Sequence, residues 1–218
     1  IKKYGQPRKS LFIYASDLPD EEEEEDVPDY TVNVFVTAEG YFKKITPQSL
    51  RMSSNQKLKE GDEVVLQLET SNKSELLFFS DKAQVYKAKL SDFAETKASV
   101  MGDYIPSKLG FDEGEKLFAA VVTQDFSGHV LFFFENGKVS KVSLASYETK
   151  TNRKKLQNAY SDKSPLVALK VPAEGEEFVL TSTGKRKLIF NPDMIASKAT
   201  RDNQGVAVMT LKKGAFLQ

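Results

Sequence analysis

Two short stretches of the sequence, TAEGYFKKI at residues 37–45 and FENGKVSKV at residues 134–142, share one pattern around a glycine. The glycine lies between an apolar run and a second stretch that contains lysines, and the surrounding sequence is rich in β-branched and aromatic residues, which is typical of β-strands. The glycine itself tolerates the positive φ that tight hairpin turns require. Each stretch therefore predicts a β-hairpin, and the recurrence predicts a repeat.

The hairpin pattern occurs four times, at residues 30–50, 75–93, 128–147 and 176–195. The predicted turn residues are Gly40, Ala83, Gly137 and Gly184. Further apolar runs begin at residues 63, 116, 165 and 205, which gives three to four strands per unit. A four-strand unit that recurs about every 40 to 50 residues is typical of a β-propeller, whereas β-helical solenoids have shorter repeats. We therefore expect residues 30–218 to form an all-β propeller of about four blades.

Charge is distributed unevenly along a chain whose formal net charge is zero. Residues 1–29 carry four basic and nine acidic side chains, so residues 30–218 carry 27 basic and 22 acidic ones, a net charge of +5. The block PDEEEEEDVPD repels itself and has a proline near each end, which predicts a solvated linker at residues 15–29. The folded part is therefore expected to be mildly basic.

Composition argues against several classes of protein. The sequence lacks cysteine, has a single histidine, His129, and has no run of about 18 apolar residues. No Gly-Lys-Ser/Thr motif marks a phosphate-binding loop, and acidic pairs such as Asp112 and Glu113 lie in connectors. We therefore expect no catalytic site, no metal site and no membrane partner in this chain, and a cytoplasmic setting.

Lysine recurs at one position of the repeat. With the turn residue counted as zero, position +4 is Lys44, Lys87 and Lys141 in the first three copies. In the fourth copy the basic residues Lys185, Arg186 and Lys187 follow the turn directly. A rotational array would carry these positions to the rim of blade after blade and form a positive track for a polyanion. Lysines that merely prevent aggregation at strand edges are the alternative.

Three segments, together with the repeat, resemble a known family: KKYGQPRKSLFI at 2–13, KEGDEVVLQLET at 59–70 and RDNQGVAVMTL at 201–211. They are similar to the C-terminal DNA-binding domain of the A subunit of bacterial type IIA topoisomerases, namely gyrase A and topoisomerase IV A. The resemblance covers essentially the whole chain. We therefore expect the sequence to be part of a longer protein, with residues 1–14 as the tail of a preceding breakage-reunion domain.

The resemblance implies a pinwheel variant of the propeller, in which neighbouring blades exchange strands, and double-stranded DNA bent around a basic outer rim. It places the catalytic tyrosine, the metal-binding acidic cluster and the ATPase site in other domains, so this chain would hold no cofactor. The parent enzyme would use ATP and Mg, work at the nucleoid in the bacterial cytoplasm and act together with a topoisomerase B subunit.

The candidate DNA-contacting residues come from the repeat and from one loop. Those in the repeat are Lys43, Lys44, Lys87, Lys141, Lys185, Arg186 and Lys187. The A subunits of gyrase carry a Gln-Arg-Arg-Gly-Gly-Lys-Gly box after the first hairpin, and the corresponding loop here, SLRMSSNQKLKEG at 49–61, keeps Arg51, Lys57 and Lys59. Residues 52–55 are Met, Ser, Ser and Asn where glycines are expected. This departure favours a topoisomerase IV A protein that bends DNA over a gyrase A protein that wraps it chirally.

The sequence alone does not exclude two functions of other classes. A propeller that serves as a protein-interaction platform would cluster aromatic residues on one face, and Phe132, Phe133 and Phe134 are candidates, although a buried central strand explains them equally well. A carbohydrate-active propeller would place carboxylates at the central channel, and the sequence shows no repeated acidic position of that kind.

Overall fold

The computed structural model describes residues 27–149 and 154–218. The four predicted hairpins are β1 (Thr31–Thr37) with β2 (Tyr41–Ile45), β4 (Glu75–Ser80) with β5 (Val85–Lys89), β8 (His129–Phe134) with β9 (Lys138–Ser143), and β12 (Phe178–Thr181) with β13 (Lys187–Phe190). The other strands are β3 (Val64–Ser71), β6 (Asp103–Tyr104), β7 (Leu117–Thr123), β10 (Lys155–Leu156), β11 (Leu166–Lys170) and β14 (Val206–Ala207). The predicted tail at 1–14 and most of the acidic linker lie outside the described residues.

Short helices follow the hairpins. The first hairpin is followed by α1 (Pro47–Met52), and the later three by 3-10 helices at Leu90–Asp92, Leu144–Tyr147 and Pro192–Met194. A second helix, α2 (Ile105–Leu109), follows β6. Thr46 caps α1 by accepting a hydrogen bond from the Ser49 amide.

The strands form four antiparallel sheets, which we name blades A to D. Blade A has the order β3-β1-β2-β6, blade B β10-β5-β4-β7, blade C β11-β8-β9-β14 and blade D β12-β13. The all-β fold of about four blades, expected from the repeat, is confirmed.

Neighbouring blades exchange strands. The strand β6 follows the hairpin of blade B in sequence but pairs with β2 of blade A. In the same way β10 follows the hairpin of blade C and pairs with β5 of blade B, and β14 follows the hairpin of blade D and pairs with β9 of blade C. Blades A, B and C are therefore each completed by a strand of the next repeat, which is the pinwheel arrangement that the resemblance implies.

Alternate residues of each hairpin pack toward opposite neighbours. In blade B the ring of Phe78 lies 5.8 Å from that of Phe42 in blade A, and the ring of Phe79 lies 5.7 Å from that of Phe132 in blade C. The period of two along a strand produces this division, because successive side chains point to opposite faces. The candidates for an aromatic docking surface, Phe132, Phe133 and Phe134, are all buried between blades.

The turn of the fourth hairpin is offset by one residue from the sequence prediction. In the first three hairpins the predicted turn residue has a positive φ, at Gly40, Ala83 and Gly137. In blade D, the pairing of Phe178 with Phe190 centres the turn one residue later, and the positive φ of 60° belongs to Lys185. Gly184 lies in the turn, as predicted, but the equivalent of position zero is Lys185. Position +4 of this copy is therefore Ile189, not Leu188.

Candidate nucleic-acid interface

The side chain of Lys44 points toward blade B, not toward solvent. Its Nζ donates to the carbonyl oxygens of Leu90 and Phe93, at 3.2 and 2.9 Å, around the 3-10 helix of blade B. The residue is 3% exposed. Burial lowers the pKa of its ammonium group, while the nearby Glu95 and Asp92 act in the opposite direction. Lys44 thus connects blade A to blade B.

Lys87 and Lys141 make the corresponding connections in the next two blades. Lys87 Nζ donates to Thr149 Oγ1 at 3.1 Å, just after the 3-10 helix of blade C, and lies 3.6 Å from a carboxylate oxygen of Glu75. Lys141 Nζ donates to the carbonyl oxygen of Pro192 at 3.1 Å, in the 3-10 helix of blade D, and pairs with Asp193 at 3.4 Å. We call Lys44, Lys87 and Lys141 the latch lysines.

Lys43 is the most deeply buried of the candidate residues, with 1% of its surface exposed. Its Nζ donates to Gln56 Oε1 at 3.1 Å and to the carbonyl oxygens of Lys57 and Ala98, at 2.7 and 3.2 Å. Burial lowers the pKa of this ammonium group as well. Lys43 therefore anchors the loop that follows α1.

The buried candidates are poorly placed to meet DNA. A phosphate could reach the ammonium groups of Lys43, Lys44 or Lys87 only after their internal hydrogen bonds had broken, and those bonds satisfy carbonyl or hydroxyl groups inside the protein. The expectation that they lie on an exposed rim is therefore wrong for these three residues. Lys141 is partly exposed but already bonded to blade D.

The remaining candidates are exposed and form two separate groups. Arg51, at the end of α1, and Lys57 and Lys59, in the loop after it, lie on the side of blade A. A hydrogen bond from Lys59 to Glu39 raises the pKa of the lysine, and their ion pair is 3.3 Å long. The second group, Lys185, Arg186 and Lys187, lies at the turn of blade D, where Arg186 Nη1 donates to the Thr210 carbonyl oxygen at 2.6 Å.

A second recurring set of lysines was missed by sequence reasoning. We call the segment from each 3-10 helix to the exchanged strand after it a crossover, and we call Lys97, Lys154 and Lys198 the crossover lysines. All three are exposed. Within the described part of the chain their ammonium groups have no ion pair or hydrogen bond. The crossovers differ in length and carry no strand alternation, so their register became visible only in the structure.

Each crossover runs directly beside a latch lysine. The amide of Thr96 donates to the Lys44 carbonyl oxygen at 2.7 Å, the amide of Lys87 donates to the Lys154 carbonyl oxygen at 2.7 Å, and the amide of Lys198 donates to the Lys141 carbonyl oxygen at 2.9 Å. An exposed crossover lysine therefore lies next to a latch lysine at three successive blade junctions, and the latch lysine is buried at the first two. A recurring exposed basic position therefore exists, but different residues supply it.

Other site types find little support in residues 27–149 and 154–218. No cluster there of three or more histidine, aspartate or glutamate side chains could hold a metal ion. None of the helices in this part is long and apolar enough to cross a membrane. His129 begins β8, and burial is the main cause of its lowered pKa.

The blades, their exchanged strands and the basic crossovers define a β-propeller of the pinwheel type. A family model described as the DNA gyrase C-terminal domain, beta-propeller, matches residues 74–124 and 196–218. The A subunit of DNA topoisomerase 4 from Bacillus subtilis (strain 168) is 26% identical over 193 residues, which are 87% of this chain and 23% of the relative. The A subunit of DNA gyrase from Staphylococcus aureus (strain NCTC 8325 / PS 47) is 21% identical over 222 residues, 97% of this chain and 25% of the relative.

Solved structures agree with these relatives. The crystal structure of the C-terminal domain of DNA topoisomerase IV has a TM-score of 0.75 at 25% identity and covers 88% of this chain and 60% of its own. The E. coli ParC C-terminal domain has a TM-score of 0.67 at 10% identity over 86% of this chain and 77% of its own, which shows a shared fold. The chain is similar to the C-terminal β-propeller domains of gyrase A and topoisomerase IV A. It spans about a quarter of the length of the curated relatives it matches.

Proposed function

We propose that this chain is a non-catalytic domain that binds and bends double-stranded DNA within the A subunit of a type IIA DNA topoisomerase, and so presents the duplex for strand passage. The observation that carries the proposal is the recurrence of an exposed lysine at three successive crossovers, Lys97, Lys154 and Lys198, each without an ion pair or hydrogen bond to the residues that the structure describes. The relatives named gyrase A and topoisomerase IV A support the same assignment.

Exposed and unpaired ammonium groups are the ones that can neutralise phosphates and release counterions from DNA. A duplex that follows successive blades would meet one crossover lysine at each junction and would have to curve with the ring. Contacts of this kind fix the position of the DNA but read no base edges, so we expect binding without sequence preference. Arg51, Lys57, Lys59 and the group at 185–187 would extend the contact at the two ends of the array.

A salt titration of duplex binding tests this proposal. Fluorescence anisotropy of a labelled duplex should give an affinity whose logarithm falls with the logarithm of salt concentration, by roughly 0.9 for each phosphate neutralised. Replacing the crossover lysines together by glutamine should reduce that slope by about 2.7, which is three phosphates. The matched control replaces Lys73, Lys116 and Lys170, three exposed lysines outside the crossovers, and changes net charge equally.

Two outcomes would contradict the proposal, and they reject different parts of it. Absence of duplex binding by the unmodified chain would reject the DNA-binding function itself. Equal slopes for the crossover variant and the control variant would show that net charge matters and that the crossovers are not the contact surface.

We further propose bending over full chiral wrapping. The box loop has Met52, Ser53, Ser54 and Asn55 where glycines would let the backbone approach phosphates, and the basic excess of residues 30–218 is only five charges. Smooth bending of a site of 20 to 30 base pairs costs about 1 to 6 kcal/mol, which a few phosphate contacts can offset. When a nicked plasmid is ligated in the presence of the chain, its linking number should change little. Strongly trapped positive writhe would support a gyrase A assignment instead.

The same proposal includes the cofactors, the partner subunit and the cellular location of the parent enzyme. Its ATP, its Mg and its contact with a topoisomerase B subunit would belong to domains outside this chain, in the bacterial cytoplasm at the nucleoid. The parent enzyme would then chiefly relax and decatenate DNA.

A further inference from the structure

We propose that the latch lysines fix the angle between successive blades, and thereby the curvature of the path that DNA follows, without contacting DNA themselves. The part of this inference that concerns DNA rests on the proposed function, whereas the part that concerns blade angle does not. It assigns Lys44, Lys87 and Lys141 a positioning role at the blade junctions.

The same contact recurs at three blade junctions. In three blades the same repeat position reaches across the junction in the same direction and ends at the 3-10 helix of the next blade or directly after it. The acceptors are main-chain carbonyl oxygens for Lys44 and Lys141, and a hydroxyl oxygen for Lys87. A contact that recurs across an irregular sequence repeat is a property of the junction, not of one blade.

The latch hydrogen bonds depend on direction, whereas the apolar contacts between blades do not. The blades otherwise meet through apolar side chains such as Phe79 and Phe132, and apolar attraction has no preferred direction, so it resists separation more than it resists tilting. A hydrogen bond from a buried ammonium group weakens steeply when its angle changes, and breaking it leaves a charge and a carbonyl group unsatisfied. The latch therefore adds the angular restraint that apolar packing lacks.

The latch lysines are also bonded to the crossovers that carry the proposed DNA-contacting lysines. Each latch residue is bonded through its side chain near the start of a crossover and through its main chain to the crossover itself, as Lys44 is to Phe93 and to Thr96. The crossover lysine follows directly, at position 97 in this junction. Because the latch lysine is bonded both to the start of the crossover and to a residue further along it, it sets where each exposed crossover lysine lies relative to the preceding blade.

The latches weaken along the chain. Lys44 is buried and serves two carbonyl groups, whereas Lys141 is partly exposed and serves one carbonyl group and an exposed carboxylate. In blade D the equivalent position is Ile189, which has no donor and is 67% exposed. The array should therefore be stiffest between blades A and B.

Spin-label distances test the blade angle without DNA. Because the sequence has no cysteine, pairs introduced at exposed positions label uniquely: Gln67→Cys with Lys89→Cys for blades A and B, and Lys170→Cys with Val179→Cys for blades C and D. Methionine keeps the unbranched stem and removes the donor, so Lys44→Met and Lys141→Met should each broaden the distance distribution across their own junction only. Lys141→Arg, which keeps donors at a partly exposed site, should restore the narrow distribution.

The same variants are then tested on a duplex with dyes at its two ends. The salt slope of Lys141→Met should equal that of the unmodified chain, while the end-to-end distance should increase because the DNA is bent less. If Lys44→Met does not fold, Lys141→Met at its more exposed site carries the test alone. An unchanged distance distribution would overturn the latch whether or not DNA binds. A salt slope of Lys141→Met reduced by about one unit would show that Lys141 contacts a phosphate directly. A broader spin-label distance distribution without any change in the bend of the duplex would show that blade angle does not control DNA curvature.

Discussion

Gly205 lies so close to the main chain of Val139 that no side chain fits between them: a Cβ at position 205 would overlap the carbonyl group of Val139. Gly102 has the same relation to the carbonyl group of Phe42. The two glycines directly precede the exchanged strands β6 and β14. Strand exchange at these junctions therefore depends on residues without a side chain, which gives a physical reason for the glycine in the NQGV segment.

Replacing Gly205 by alanine should destabilise the chain by roughly 2 to 4 kcal/mol. About 1 to 2 kcal/mol comes from a left-handed conformation with φ of 69°, and the overlap with Val139 adds the rest. Gly175→Ala is the matched control, since its φ is 72° but the space around it is open. Urea unfolding measures both variants. Equal losses would contradict the close approach as the cause.

Replacing Phe132 by alanine should cost about 3 to 5 kcal/mol, because its ring is fully buried between blades. The ring lies 5.7 Å from that of Phe79 and 5.4 Å from that of Tyr160. Val179→Ala on blade D, at a position that is 63% exposed, should change the free energy of unfolding by less than about 0.5 kcal/mol. Thermal unfolding of the two variants checks the contrast, and similar losses would mean that the face of blade D is covered.

Tyr160 should make the chain sensitive to alkaline pH. Its hydroxyl donates to the Ser80 carbonyl oxygen at 2.6 Å, and burial raises its pKa to about 12. Because the folded-state pKa lies above the ordinary value of 10.0, the stabilisation is fully present below pH 10 and is lost as the pH rises toward 12. The stability difference between the unmodified chain and Tyr160→Phe should therefore fall by on the order of 2 kcal/mol across that window. Urea titrations at several pH values measure it, and a constant difference would refute the assignment.

Lys43→Met should release the loop at residues 53–61. The substitution removes three hydrogen bonds, including those to the carbonyl groups of Lys57 and Ala98, so trypsin should cleave after Lys57 and Lys59 faster than in the unmodified chain. Glu39→Gln serves as control because it breaks only the exposed ion pair with Lys59, and such pairs contribute little. If both variants were cleaved at the unmodified rate, the loop would be held by other contacts.

The sequence predicted the recurrence of the latch lysines but not their burial. The recurrence of Lys44, Lys87 and Lys141 was a true feature of the repeat, but their direction was not predicted. The alternation of side chains along the strand indicated that Lys44 could be buried, since Lys44 is two residues from the buried Phe42 and lies on the same face. The alternation alone does not predict which carbonyl groups of the neighbouring blade lie close to Lys44. The exposed crossover lysines carried no alternation that could have placed them.

The sequence by itself determined the repeat unit, because strand alternation and turn residues act over a few neighbouring positions. The first three turns, at Gly40, Ala83 and Gly137, follow from that local chemistry. Only the tertiary structure decided the register of the fourth hairpin, where packing of Phe190 and Leu180 against blade C moves the left-handed position from Gly184 to Lys185. It also decided which blade each exchanged strand completes and which lysines are buried. Those outcomes depend on residues about fifty positions apart, such as Lys44 and Phe93, whose contact arises only after separate blades have met.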